Sequence, residues 1–372
     1  MLVRRMVVWL VIALCLGLTL VRPVRAQDAG LTVRTISFVS MAYGMRLSPD
    51  GHTLAVFENG QVRENKVDPK FLPIHLINID TGNEIAQLSS GITDYTSDVA
   101  FTRDGKRLAS YQINGELLIW DVRTAKVAKR FTTSLLAYHR LRFLPDGKLL
   151  AVLESGTPSK ILLVDTNTGF ITRILAPGFK TFADFQQNFT QVPGMMDVQY
   201  AGFDVAPNGK TLAVSTFNDE VQLWDIASGK ITTLRPASEK KGQIAIRWLT
   251  FTPDSKSLIF YDPDALKIRF VNVADQKESK AIAVGSLAPG LYGLSADGST
   301  VAWVGKDRPN VLQLTKAAEP DKPRPLVEIQ GSLKAQPTLT PPIIFLPDGK
   351  RIIFGGFFAQ DTRNLIYVIK LG

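Results

Sequence analysis

Residues 99–112 read Val-Ala-Phe-Thr-Arg-Asp-Gly-Lys-Arg-Leu-Ala-Ser-Tyr-Gln: a short apolar run, the pair Asp104-Gly105, and a second apolar run. Asp-Gly between two β-like runs is the strongest local hairpin signal, because glycine takes positive φ with no Cβ clash. Beyond it, Leu117-Leu118-Ile119-Trp120-Asp121-Val122 supplies a third strand and Val127 to Phe131 a fourth. The same plan recurs later in the chain. Phe203-Asp204-Val205 leads into Asn208-Gly209, then Leu212 to Thr216, then Val221-Gln222-Leu223-Trp224-Asp225-Ile226, with an outer strand after Ser228-Gly229.

Counted along the whole chain, the turn appears seven times. It stands at Pro49-Asp50-Gly51, Asp104-Gly105, Pro145-Asp146-Gly147, Pro207-Asn208-Gly209, Pro253-Asp254-Ser255, Asp297-Gly298 and Pro347-Asp348-Gly349, at intervals of 42 to 62 residues. Further third strands are Ile74 to Asp80, Ile161 to Asp165, Ile268 to Val273, Val311 to Thr315 and Leu365 to Lys370. Four short strands per unit at this period predict the blades of a β-propeller. The last unit has Ile343-Ile344-Phe345, Ile352-Ile353-Phe354 and Leu365 to Lys370, with no fourth strand before Gly372. Leu31 to Val39 is an orphan strand ahead of the first turn, and pairing the two closes a ring with no free edge. The expectation is an all-β, seven-bladed β-propeller over residues 27–372, four antiparallel strands per blade.

On the seven turns, and on Trp120-Asp121 and Trp224-Asp225, the chain resembles the WD-repeat propellers and their divergent YVTN-like relatives among bacterial surface and envelope proteins. The resemblance covers nearly all of residues 27–372 and implies a binding scaffold. One feature departs from the pattern. The Gly-His dipeptide of a WD blade is absent, and His52, His75 and His139 do not stand in its register. This implies that Trp120 lacks the family's buried tetrad with Ser110 and a histidine, and that the blades hold by apolar packing alone.

The first 26 residues read as a secretory signal: Arg4-Arg5, an unbroken apolar run from Met6 to Val21, and Val24-Arg25-Ala26 at the cleavage site. That run is short for a bilayer span, and an uncleaved anchor over residues 6–21 is the alternative. The expected location is periplasmic or secreted. Without those residues the net charge falls from +9 to +5 and is dispersed along the chain. Such a surface gives little reason to expect nucleic acid. The single cysteine, Cys15, lies inside the apolar run, so the mature chain has no disulfide, thiolate metal site or cysteine nucleophile.

In a four-stranded meander, the second-to-third loops and the links between blades leave from one face, here the top. The chain's extra length collects there. Residues 176–199 link the third and fourth units and carry Phe179, Phe182, Phe185, Phe189, Met195 and Met196. The first unit adds residues 58–72 with Arg63 and Phe71, and the seventh adds Phe357 and Phe358. Aromatic and methionine side chains with basic neighbours are the usual anchors of protein interfaces. The phenylalanine spacing of 3, 3 and 4 also suits a short helix folded down as a lid.

Candidate chemistry is sparse. Asp165-Thr166-Asn167-Thr168-Gly169 alternates oxygen ligands like the start of a calcium loop, lacks its distal Glu, and reads better as an Asx turn. Asp262-Pro263-Asp264 pairs two carboxylates that suit either acid–base work or a turn. The three histidines are scattered, and no nucleophile elbow, phosphate loop or dinucleotide fingerprint is present. The leading expectation is a monomeric, exported, non-enzymatic scaffold without cofactor or metal, binding a protein or envelope component through its top face. The alternative is an envelope enzyme, lactonase-like or quinoprotein-like, with a site in the central channel.

Overall fold

The computed structural model describes residues 25–26, 32–38, 42–58, 62–63, 66–67, 72–91, 96–133, 139–154, 158–176, 182–191, 199–238, 246, 248–305, 307–308, 311–328, 343–357 and 364–371. Seven antiparallel sheets follow one another along the chain, as the turns predict. Blade 1 comprises Ala42–Leu47, Thr53–Glu58, Ile74–Asn78 and Glu84–Leu88. Blades 2 to 5 repeat the plan, their inner strands being Thr96–Phe101, His139–Phe143, Tyr200–Val205 and Leu249–Phe251. Blade 6 begins at Leu287–Leu294 and blade 7 at Ile343–Phe345.

The ring closes where the orphan strand predicts. Thr32–Phe38 pairs antiparallel with Asn364–Lys370 from Thr32 opposite Lys370 to Phe38 opposite Asn364, giving blade 7 its fourth strand. Arg25–Ala26 was not foreseen in a sheet, yet it pairs with Val327 and Glu328 as a fifth strand on blade 6. Cleavage after Ala26 would remove that strand and leave blade 6 with four.

The core is not central but divided among the seams. Side chains alternate along each strand, so successive residues pack against opposite neighbours. In blade 1, Val56 packs with Ile353 and Ile366 of blade 7, while Ala55 and Phe57 pack with Val99 and Leu118 of blade 2. Each of the seven seams holds one such cluster. The seam between blades 7 and 1 includes Ile36 from the closing strand, so apolar burial as well as backbone pairing seals the ring.

The turns explain why the repeat was readable. In all seven, Oδ1 of the Asp or Asn accepts the backbone N–H two residues on, at 2.8 to 3.0 Å. The residue after the Asp or Asn has φ between 62° and 79°, and six of the seven are glycine. Blade 5 has Ser255 there instead, whose hydroxyl accepts the Asn208 N–H of blade 4 at 3.0 Å. Four turns add a hydroxyl two residues before the Asp: Ser48, Thr102, Thr252 and Ser295 each donate to it at 2.5 to 2.6 Å. The same hydroxyls accept the N–H that opens the next strand. These contacts hold the turn carboxylates of Asp50, Asp104, Asp254 and Asp297 below the ordinary range, the side-chain hydroxyl being the chief cause in each.

The expectation of purely apolar blades needs correcting. Trp120 Nε1 donates to Ser110 Oγ at 2.9 Å, so the tryptophan–serine half of the tetrad is present although no histidine completes it. Gln112 stands beside it, with its amide nitrogen 3.1 Å from Thr96 Oγ1 and 3.4 Å from Ser110 Oγ. Trp303 bonds Thr315 in blade 6, and Trp224 bonds Gln222 on its own strand in blade 4, both at 2.9 Å. A buried indole N–H must find an acceptor, and the sequence meets that need differently from blade to blade.

Candidate functional site

Two regions compete: the irregular top connections and the central channel. In the first, residues 182–188 form a helix, Phe182–Asn188, followed by a 3-10 turn, Phe189–Gln191. The helix lies against Ile171–Leu175, the outer strand of blade 3. The spacing of 3 and 4 from Phe182 through Phe185 to Phe189 therefore does mark a helical segment. Arg63 lies in a short hairpin, Val62–Arg63 pairing with Lys66–Val67, inserted between the second and third strands of blade 1. Phe357 ends the strand Arg351–Phe357 of blade 7. Phe71, Phe179, Met195, Met196 and Phe358 lie outside the described residues.

The polar candidates resolve into structural pairs. Asp165 Oδ1 accepts the N–H groups of Asn167 and Thr168 at 2.8 and 2.9 Å, the Asx turn that the sequence favoured. Asp262 contacts Arg235 Nε at 3.3 Å and Arg269 Nη1 at 3.0 Å, and Asp264 pairs with Arg235. Those two blade 5 carboxylates are thus neutralised by Arg269 of the same blade and Arg235 of blade 4, which leaves little electrostatic reason for a cation to settle between them. His52 pairs with Asp80 at 2.7 Å and His75 with Glu84 at 2.8 Å, both outside the channel lining. Among the described residues no three His, Cys, Asp or Glu side chains group as a metal site.

The channel holds what sequence reading missed. Counting back four residues from the Asp or Asn of each turn selects Arg46, Ala100, Arg142, Asp204, Thr250, Gly293 and Ile344. All seven line one cavity of about 420 Å³. Gly293 is needed there, since a Cβ would lie 2.5 Å from the Ile343 carbonyl oxygen, where the inner strands of blades 6 and 7 approach. Counting back six residues places Asp98, Arg140 and Trp248 on the next ring.

These two rings are wired together. Arg46 Nη2 contacts Asp98 at 2.9 Å, and Arg142 Nε donates to Asp204 Oδ1 at 3.1 Å. Asp98 also accepts the N–H groups of Val99 and Leu141, at 2.9 and 3.0 Å. Asp204 Oδ2 accepts from Thr250 Oγ1 and Phe251 N, each at 3.2 Å. The guanidinium carbons of Arg140 and Arg46 lie 4.8 and 5.8 Å from the centre of the Trp248 ring. Burial pulls the Arg46 pKa below its ordinary value, with Asp98 acting against that shift and Arg142 adding to it. Tyr292, whose phenol burial pushes upward, stays protonated and donates to the Trp248 carbonyl at 2.5 Å. The opposite wall, from blades 6 and 7, is apolar.

Four-stranded blades, seven seams and a charged channel define a seven-bladed β-propeller. The comparison with solved structures agrees: the β-propeller domain of Myceliophteria thermophila Cps50 (Swd1), a WD40 propeller, superposes with a TM-score of 0.67. Sequence identity is 16%, and the match covers 94% of this chain and 100% of that one. At that identity the likeness concerns the fold. No protein-family profile matches the chain, and no curated protein sequence matches it.

Proposed function

We propose that the chain is an exported scaffold, without catalytic activity of its own, that binds a protein or envelope component through its top face. Residues 176–199 are its main contact. The observation that carries this reading is the helix and 3-10 turn at Phe182–Gln191, placed on an otherwise repetitive ring. Long connections with their own secondary structure on a rigid scaffold are where binding residues concentrate. The signal-like residues 1–26 support export, and among the described residues no helix is long and apolar enough to cross a membrane. An enzyme working from the channel would need a free base or nucleophile. The carboxylates on that wall are committed to arginine and backbone donors, which argues for the scaffold reading.

Photo-crosslinking tests this reading. A benzophenone amino acid placed at Phe182 or Phe189 should capture one envelope component in the native cell. The same probe at Phe170, 75% exposed in a turn on the opposite face, should not. Capture from Phe170 alone, or identical products from all three positions, would move the interface away from the top.

A further inference from the structure

We propose that the bottom face docks on an anionic lipid surface, through the lysines of blade 2 and the ring of Phe170 on blade 3, which turns the top face toward solution. The turns supply the charge. In five of the seven turns between first and second strands, the residue after the left-handed position is an exposed lysine: Lys106, Lys148, Lys210, Lys256 and Lys350. In the turns that lead to the outer strands, the corresponding place holds Lys126, Lys230 and Lys277 in blades 2, 4 and 5. Blade 3 has Phe170 there instead. The turn carboxylates bend back onto backbone N–H groups and hydroxyls, as Asp104 does on Lys106 N and Thr102, and Asp121 on Thr124. A lysine chain is long enough to carry its charge past them.

Charge is uneven among the blades. Outside the channel, residues 96–133 of blade 2 carry seven Lys and Arg against three Asp and Glu, a net +4 where residues 27–372 together carry +5. Of those cations, Arg103, Lys106, Arg123, Lys126 and Lys129 are exposed and form no ion pair among the described residues. Phe170 borders this blade, because Gly169 before it lies against the ring of Phe131 on the outer strand of blade 2. At 75% it is the most exposed large apolar side chain among the described residues. Its carbonyl accepts the Asp165 N–H at 2.9 Å, so the turn holds the ring out rather than leaving it loose. The neighbours Asn167 and Thr168 are exposed and polar. A protein partner would cover a continuous apolar patch, and Phe170 stands alone. A bilayer takes the two elements separately: its anionic headgroups attract dispersed lysines, and its interfacial layer admits a single aromatic ring.

Photo-crosslinking of the purified full chain to vesicles decides the matter, because the readout is local to one face whatever residues 6–21 do. A benzophenone amino acid at position 170 should join lipid of phosphatidylglycerol-containing vesicles at least about tenfold more than lipid of pure phosphatidylcholine vesicles. The same probe at Leu266, 42% exposed in the second-to-third loop of blade 5 on the top face, should join neither. Lys106→Gln with Lys126→Gln should lower the yield at position 170 by about tenfold or more. Salt at about 1 M, where screening reaches about 3 Å, should do the same. Equal yields on the two vesicle types would overturn the proposal. So would equal yields from positions 170 and 266, or a yield unchanged by the double substitution. Loss of the lipid product on adding soluble polyglutamate at the same anion concentration would reassign the surface to an acidic polypeptide. Should the double variant fail to fold by circular dichroism, the vesicle ranking on the chain with both lysines still decides. The product carries lipid and no second macromolecule, so a failure here is distinct from a failure of capture at Phe182 or Phe189.

Discussion

The two faces of this ring obey different rules. On the bottom, seven turns repeat one hydrogen-bond plan, with an Asp or Asn oxygen capping the backbone two residues on and a left-handed residue after it. Bonds between blades reinforce that face, such as Arg107 to the Gly147 carbonyl at 2.9 Å and Arg173 to the Ala227 carbonyl at 2.9 Å. On the top, connections range from the three residues between the second and third strands of blade 2 to the helix-bearing segment 176–199. Uniformity marks the face that stabilises each blade. Irregularity marks the face free to vary, and a binding function is placed most readily there.

If that division is correct, bottom-face substitutions cost stability and leave binding alone. The largest cost is expected at Gly169, where φ is 76° and a Cβ would lie 2.3 Å from the Phe131 ring. Gly169→Ala should cost about 2–3 kcal/mol in chemical denaturation, from left-handed strain plus displacement of that ring. Next comes Thr102→Val, which removes the hydroxyl that donates to Asp104 and accepts from Arg107. The expected loss is about 1–2 kcal/mol at neutral pH.

The same variant carries a pH signature. The Thr102 hydroxyl holds the folded-state pKa of Asp104 below its unfolded value. A lowered carboxylate pKa contributes stability above the unfolded value and loses it as pH falls through the folded one. The part of the stability gap between Thr102→Val and the unaltered chain that depends on this charge should therefore shrink below about pH 4. A gap that widens in acid would contradict the turn assignment. The smallest effect runs the other way. Gln276 sits exposed at φ 62° in the outer turn of blade 5, the position held by Gly169 in blade 3 and Gly229 in blade 4. Gln276→Gly should raise stability by up to about 1 kcal/mol, read as a higher denaturant midpoint with the same slope.

Reading the sequence recovered the ring because its determinants are local. Asp-Gly turns, alternating strands and an orphan N-terminal strand each act over a few residues, so counting them yields blade number and closure. The helical spacing of Phe182, Phe185 and Phe189 was legible for the same reason. What escaped notice is non-local. Arg46 and Asp98 are 52 residues apart, and Arg142 and Asp204 are 62 apart, on different blades. Arg46, Arg142 and Asp204 share an offset of four residues before their turns and Asp98 stands at six, on the adjoining ring, a signal present in the sequence once the turns are aligned. Trp120–Ser110 escaped because the absent histidine suggested that the whole tetrad was missing, although an indole needs only one acceptor. The Arg25–Ala26 strand gave no warning, being two residues long at the end of a leader-like segment.

The sharpest single test removes residues 179–197 and measures capture from an envelope extract, with thermal unfolding of the same protein as the reference. Because Leu175 and Tyr200 stay in their strands on either side, the account predicts an unfolding midpoint within a few degrees of the intact chain and complete loss of partner capture. Undiminished capture by the folded deletion variant would contradict it.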